Sequence, residues 1–187
     1  RVVVPFAAGG GADYFARPMG QKLTESLGQP ILIDNRGGAN GAIGAEAVMR
    51  AAPDGYTLLF GSAGVMTIGP ALNSTLKYDT ERDFVPVALI VDSPFSLIVH
   101  PSVGVKSLKD LIAYARSNPG RLKYGSSGIG GAPHLAGELF NDVAKTDMVH
   151  VAYKGGGPMV IDLLGGHIEL TFIGLNIVQQ HVSAGKL

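Results

Sequence analysis

Val2-Val3-Val4-Pro5-Phe6-Ala7-Ala8-Gly9-Gly10-Gly11-Ala12-Asp13 is the stretch that decides the fold. Its β-branched apolar start is typical of a buried parallel strand, and the glycine cluster ends that strand. Apolar residues then recur at helical spacing from Asp13 to Leu27, where Gly28 stops the pattern. The stretch therefore predicts a strand, a glycine-rich loop and a helix, with Pro18 kinking the helix or delaying its start.

The same alternation continues outward along the chain. Further strands are predicted over residues 31–33, 57–60, 85–91, 95–99, 122–124, 149–153 and 168–172. Further helices are predicted over residues 41–52, 107–118, 133–143, 155–164 and 176–183. Strands that alternate with helices imply an α/β fold with mostly parallel sheets. A change in composition near Asp92 predicts a boundary between a first unit, residues 1–92, and a second unit, residues 93–187.

Composition narrows the classes of function. The 15 basic and 15 acidic side chains cancel, which argues against nucleic acid or an anionic membrane as the main partner. The chain has no cysteine, which excludes disulfides, thiolate nucleophiles and cysteine-based zinc sites. No stretch reaches the roughly 18 uninterrupted apolar residues of a membrane span, so no direct membrane insertion is expected. No signal peptide is present, although the chain opens directly on a strand, so we expect a leader to have been removed.

Four glycine-rich loops are the candidate binding elements, at residues 7–12, 62–64, 126–132 and 154–158. Ligands of open α/β sheets lie beyond the carboxyl ends of the strands, where helix N-termini offer free N–H groups and a partial positive charge. The loops could therefore hold an anion without Lys or Arg, assisted by hydroxyl groups. Alternatively, the glycines only permit tight turns and close packing of helices on strands.

The spacing of residues argues against nucleotide-binding, hydrolase and metal-binding sites. The dinucleotide motif G-x-G-x-x-G is absent, because Tyr14 stands three residues after Gly11, and no P-loop is present. A nucleophile elbow is absent too, because Ile129 replaces its last glycine. The five histidines lack metal-binding spacing, so neither a metal nor a cofactor is predicted.

Each of three polar residues near the loops has two possible roles. Asp13 either binds a ligand amine or water, or stabilises the helix N-terminus as a carboxylate. His134 either faces the cleft or caps its loop. Lys154 either pairs with an anion or points to solvent.

Short motifs spread over the whole chain resemble one family. They are Val4-Pro5-Phe6, Gly9 to Asp13, Asn35 to Ala39, Ile43-Gly44-Ala45, Ala52 to Leu59, Tyr124 to Gly128, His134 to Glu138, and Tyr153 to Gly156. In this order they closely resemble the Bug family, the TctC-like extracytoplasmic solute receptors of tripartite tricarboxylate transporters.

The resemblance implies a two-lobed type II periplasmic binding protein that closes around its ligand and has no enzymatic activity. It implies a periplasmic location, transporter membrane subunits as partners, and a small carboxylate ligand: a di- or tricarboxylate, an acidic amino acid or an aromatic acid. One carboxylate would be gripped between a first-lobe loop and a second-lobe loop. The candidate ligand-binding residues are Phe6, Ala8, Gly9, Gly10, Gly11, Ala12, Asp13, Ser62, Ala63, Ser126, Ser127, Gly128, Gly130, His134, Lys154 and Gly155.

The chain departs from the family pattern in three respects, one of which is that Ile173-Gly174 follows Phe172 where many members carry a polar or acidic residue. Ala7-Ala8 replaces the Pro-Pro that members commonly carry before the triple glycine. Members also run further and return to the first lobe, so this chain is expected to be shortened, with an incomplete first lobe, exposed apolar surface and a tendency to oligomerise. Two other functions stay open: a sensor subunit that presents its ligand to a signalling partner, and a small α/β enzyme that uses Ser127 and His134.

Overall fold

A computed structural model describes all residues from Arg1 to Leu187. The strands are β1 (Val2–Val4), β2 (Ile33–Asn35), β3 (Leu58–Leu59), β4 (Phe95–Val99), β5 (Lys123–Ser126), β6 (Val149–Ala152) and β7 (Leu170–Gly174). The helices are α1 (Gly11–Leu27), α2 (Ala42–Met49), α3 (Gly69–Leu72), α4 (Thr80–Asp83), α5 (Leu108–Ser117), α6 (Ala132–Ala144), α7 (Gly156–Leu164) and α8 (Leu175–Ser183). The α/β alternation is confirmed.

The first sheet is built around the strand that opens the chain. Its order is β2-β1-β3, and both neighbours run parallel to β1. Val3 and Val4 are completely buried, because the central strand of a parallel sheet is covered on both faces. The run of three valines therefore forms the centre of the first sheet.

The second sheet has the order β4-β7-β5-β6. Strands β5, β6 and β7 are parallel, whereas β4 pairs with β7 in the antiparallel sense. Two apolar clusters cover the sheet, one around Tyr124 and Leu111 and one around Met159 and Leu163. The two sheets use separate parts of the chain, because all of the first lies before residue 60 and all of the second after residue 94.

Strand β2 lies two residues later than the sequence predicts. Its pairing register joins Val2 to Ile33 and Val4 to Asn35, so the polar Asp34 and Asn35 extend the strand. The prediction missed this shift because it followed apolar residues alone. The side-chain amide of Asn35 donates to the Phe6 carbonyl, which compensates for a polar residue at this partly buried strand end.

Helix α1 starts seven residues before Pro18, so the proline does not delay it. The residue that ends the helix is Gly28, whose left-handed conformation (φ 66°) lets its N–H bond to the Thr24 carbonyl. None of the helices combines the length and hydropathy needed to span a bilayer.

The predicted strand over residues 85–91 is wrong. The segment lies outside both sheets, and Val85, Val87 and Leu89 are 87%, 80% and 86% exposed. Alternating apolar residues indicate which face of a strand could be buried, but a strand also needs a neighbour to pair with. No other segment of this chain lies beside residues 85–91 as a pairing strand.

We expect this exposed apolar segment to cause self-association of the 187-residue chain. Replacing Val87 and Leu89 by lysine adds charge at two strongly exposed positions of the segment, and we expect the apparent mass at high micromolar concentration to move towards that of a monomer. Light scattering after size-exclusion chromatography measures it. Ile161→Lys, at an exposed position on α7, is the matched control and should leave the mass unchanged. An unchanged mass in the double variant would place the association surface elsewhere.

Candidate functional site: the loop seam

Glycine-rich loops from both sheets meet at the carboxyl ends of the strands. The Ala7 N–H donates to the Lys154 carbonyl at 3.4 Å, which joins the loop after β1 to the loop after β6. Gly64, after β3, lies against Gly131, before α6. We call this junction the loop seam, formed by residues 7–11, 37–40 and 62–64 of the first sheet's loops and residues 126–132 and 154–157 of the second. All four loops expected from the sequence belong to it.

Close backbone approach explains the glycines after β6. A Cβ on Gly157 would lie 2.3 Å from the Ala8 carbonyl oxygen, and a Cβ on Gly155 would lie 2.9 Å from the Ala7 nitrogen. Gly155 also has a φ of 139°, which side chains rarely tolerate. The packing role of the glycines is therefore real, and here it brings the two halves of the chain into contact.

Three helix N-termini open onto the loop seam without a side-chain cap. Their N-cap residues are Gly10 for α1, Gly131 for α6 and Gly155 for α7. The first turns of α1 and α7 meet, since a Cβ on Gly10 would lie 3.0 Å from the Gly156 nitrogen. Each N-terminus carries a partial positive charge and unpaired N–H groups, so their meeting point attracts an anion.

Asp13 holds the first loop in shape. Its carboxylate accepts hydrogen bonds from the Gly9 N–H at 2.9 Å, the Arg17 guanidinium at 2.8 Å and the Asn35 amide at 3.0 Å. Burial alone would raise the pKa of Asp13, but these hydrogen bonds outweigh it and hold the pKa below its usual value. The carboxylate has three protein partners, which favours the structural interpretation of Asp13 over contact with a ligand amine.

Ser126 lies at the end of β5 and is completely buried. Its Oγ is 2.6 Å from Nε2 of His150, 3.2 Å from the Gly128 nitrogen and 3.1 Å from the Gly128 oxygen. The hydroxyl therefore fixes the second-lobe loop from behind. Ser127, which is half-buried, is the neighbouring hydroxyl on the same loop.

His134 caps its own loop. Its Nδ1 accepts the Gly130 N–H at 3.1 Å, and its ring lies 4.0 Å from the ring of His150, measured between centroids. Of the two roles left open by the sequence, the structure shows the capping role. The hydrogen bond goes to Gly130 and not to Ser127, so the Ser127–His134 pair required by the enzyme hypothesis is not formed.

The other candidate residues divide by burial. Phe6 is buried in the first-lobe core beside Ala42 and Val65, and Ala12 packs against the same cluster. Gly10, Gly128, Gly130 and Gly155 are buried within the loop seam, while Gly11 and Ser62 are half-buried. Ala8, Gly9, Ala63 and Lys154 are exposed, and Lys154 contributes its carbonyl to the contact with Ala7.

Sequence reasoning missed two residues: His150, which supports the loop seam from β6, and Asn40, which belongs to it. His150 alternates with apolar residues along β6, and that period indicates only that its side chain shares a face with Ala152. Asn40 was missed too, although it projects from the first lobe onto the loop at Gly128 and Gly131. Its Oδ1 is a buried polar side-chain atom without a hydrogen-bond partner in the chain.

The turn that presents Asn40 has an unusual backbone. Four successive residues have positive φ: Gly38 at 125°, Ala39 at 47°, Asn40 at 51° and Gly41 at 92°. Ala39 and Asn40 bear the cost of this conformation, of order 1–3 kcal/mol each, because they carry a Cβ. Such strain is common where loops clamp a ligand.

Comparison with known proteins places this geometry in a family. The profile described as "Tripartite tricarboxylate transporter family receptor" matches residues 15–187. The protein BugT of Bordetella pertussis is 37% identical over 188 residues, which covers 100% of this chain and 58% of BugT. The chain thus spans little more than half the length of this curated relative, in agreement with the expectation that family members are longer.

Solved structures agree closely with the fold. The structure of a periplasmic transporter is 44% identical with a TM-score of 0.96, and covers 100% of this chain and 62% of its own. Rhodopseudomonas palustris Rpa4515 with adipate is 39% identical with a TM-score of 0.95, covering 99% and 62%. MatC of the same organism with bound malate is 34% identical with a TM-score of 0.91, covering 99% and 63%. The chain belongs to the tripartite tricarboxylate transporter receptor family, the Bug-type, TctC-like solute-binding proteins with a periplasmic binding protein fold.

Proposed function

We propose that this protein is a non-catalytic extracytoplasmic receptor that binds a small carboxylate in the loop seam. Residues 1–92 and 93–187 act as the two lobes, and the first-lobe and second-lobe loops grip the ligand between them. The receptor works in the periplasm and delivers its ligand to the membrane subunits of a tripartite tricarboxylate transporter.

The meeting of two helix N-termini carries this proposal. The first turns of α1 and α7 face each other at Gly10 and Gly156. Two half-charges a few ångströms apart repel by on the order of 1 kcal/mol at an effective dielectric constant of about 20. An anion at this point adds two attractions that outweigh the repulsion, and the N-terminus of α6 adds a third at the other side of the loop seam.

The ligand class follows from the donors at the loop seam. Backbone N–H groups and the hydroxyls of Ser62 and Ser127 suit carboxylate oxygens, and a net charge of zero fits a site without a basic pocket. The structures of Rpa4515 with adipate and MatC with malate support the same class in relatives of similar fold. We therefore infer a ligand with at least one carboxylate.

Lobe closure traps the ligand in this proposal. The contacts from Ala7 to Lys154 and from Gly64 to Gly131 join loops of different sheets, and loops can separate at little cost because they carry few core residues. A ligand bound between the loops stabilises the closed arrangement by its preference for that state. The closed arrangement is then the form that the membrane subunits recognise.

We expect a carboxylate to stabilise the protein against heat. Adipate, malate, citrate and benzoate form the test panel, and at a hundredfold excess over Kd one of them should add about 2.7 kcal/mol to the free energy of unfolding. Differential scanning fluorimetry detects the shift and isothermal titration calorimetry gives Kd. The uncharged diamide of adipic acid controls for shape without charge, and it should give no shift. Failure of every acid in the panel would contradict the proposal.

We expect the Asp13 carboxylate to support both stability and binding. Asp13→Asn leaves Arg17 without its ion pair and loosens the loop at Gly9, so the free energy of unfolding should fall by about 1.5–3 kcal/mol and ligand affinity should fall as well. Urea unfolding and calorimetry at neutral pH measure the two effects. Glu25→Gln, which breaks an exposed pair with Lys22 on the same helix, is the control and should change neither.

The Asp13→Asn variant also tests how the stability of the fold depends on pH. Because the pKa of Asp13 is lower in the folded protein than in the unfolded chain, the charge stabilises the fold above the unfolded pKa and ceases to do so as the pH falls through the folded pKa. The difference in stability between wild type and Asp13→Asn should therefore narrow as the pH is lowered from neutral to about 3. A constant difference would show that the charge of Asp13 is not what stabilises the loop.

A further inference from the structure

A group of polar side chains lies behind the second-lobe loop, and it includes two candidate ligand-binding residues, Ser126 and His134. Tyr124 and Ser126 come from β5, His150 from β6, and His134 and Glu138 from α6. Residues 150 and 124 are directly paired across the two strands, and their rings lie 5.0 Å apart between centroids. The group therefore sits between the sheet and the helix that starts at the loop seam.

The hydrogen atoms around Ser126 can be assigned from the distances. Its Oγ lies within hydrogen-bond reach of a donor and an acceptor of Gly128, and also of Nε2 of His150. All three contacts are satisfied together when the serine proton goes to the Gly128 carbonyl and Oγ accepts from Gly128 N–H and from His150 Nε2–H. His150 is then a donor that fixes the start of the loop.

His134 has the opposite role. Its Nδ1 accepts the Gly130 N–H, so that nitrogen must carry a lone pair and the ring must be neutral with its proton on Nε2. Nε2 lies 3.8 Å from Oε1 of Glu138. A proton on Nδ1 would face the Gly130 N–H directly, and the hydrogen bond that fixes the middle of the loop would be lost.

The surroundings of His150 disfavour its protonation. Burial lowers the pKa of His150 first, and the nearby His134 lowers it further, while Glu138 acts in the opposite direction. The Tyr124 hydroxyl donates to Glu138 and its pKa is raised by burial, so it stays a neutral donor. These groups, with Ser126, are the polar side chains that face the two rings.

We propose that His134 and His150 are positioning residues of the ligand site. His150 holds the loop at Ser126 and Gly128, neutral His134 holds it at Gly130, and capture of the ligand weakens when His134 gains a proton. This inference rests on the proposed carboxylate-binding function, and it adds a pH dependence that arises from loop geometry and not from contact between imidazole and ligand.

The test compares two pH values and a matched variant. The wild-type affinity for the bound member of the carboxylate panel should fall roughly tenfold from about pH 7.5 to a lower pH at which NMR shows that His134 is protonated, because one loop hydrogen bond is lost. In His134→Asn the amide oxygen takes the place of Nδ1 but cannot be protonated, so affinity at the higher pH should stay within about threefold of wild type and the fall should disappear. Protonation of the ligand itself affects both proteins equally. An equal fall in both, or none in the wild type, would overturn the inference.

A second pair of variants tests His150. His150→Gln keeps an N–H donor for Ser126 and should bind nearly as well as wild type, whereas His150→Leu removes the donor and should weaken binding at both pH values by about tenfold. Equal binding by the two variants would contradict a donor role. If neither variant folds, NMR of the wild-type protein shows which imidazole nitrogens carry a proton.

Nitrogen-15 NMR of the histidine rings and of the Gly130 amide identifies the protonated nitrogens directly. At about pH 7.5 both rings should show a proton on Nε2, and on acidification the Gly130 amide should shift together with the Nδ1 resonance of His134. These signals do not depend on any ligand. If no carboxylate binds, the proposed function fails, and the NMR result still decides whether the imidazoles hold the loop. A His134 ring protonated on Nδ1 at pH 7.5 would refute the inference.

Discussion

The approach of Gly10 to Gly156 is the contact on which the candidate site depends. The contact requires glycine on both sides, because a side chain at either residue would keep the backbones apart. It also requires that the N-termini of α1 and α7 lie next to each other and that the strands of the two sheets end at the same edge. Each half of the chain meets these conditions by the same local device, a strand followed by a glycine-rich loop and a helix. Because the device is repeated, binding groups from distant parts of the sequence arrive together.

Several supports prevent these glycine loops from being loose. Asp13 and Asn35 brace the first loop from the side of the first sheet, while Ser126 and the two imidazoles brace the second loop from the side of the second sheet. The supports accept hydrogen bonds from the N–H groups of Gly9, Gly128 and Gly130, and in this way they fix the backbone of both loops. A binding site formed by backbone dipoles keeps its geometry only when the side chains that support it have all their hydrogen bonds within the protein.

The sequence is informative where structure is decided locally. The strand at Val2–Val4, the start of α6 next to Pro133, in its first turn, and the left-handed conformation of Gly28 at the end of α1 all follow from a few neighbouring residues. The hydrogen bond between Ser126 and His150 joins residues 24 positions apart, and no sequence motif predicts it. The wrong strand at residues 85–91 has the same origin, because alternation does not reveal whether a neighbouring strand exists. The roles of individual loop residues depend on such distant partners, so the loops could be predicted but their internal hydrogen bonds could not.

The equal numbers of acidic and basic side chains have a kinetic consequence. A chain of zero net charge has little long-range field, so under the proposed function an anionic solute would reach the loop seam by unassisted diffusion, and salt would change its encounter rate only slightly. Partial charges at helix ends act over a single turn and attract the ligand only once it has arrived. Under the proposed function, selection among acids would then occur through residence time, with poorly fitting solutes leaving before the lobes close.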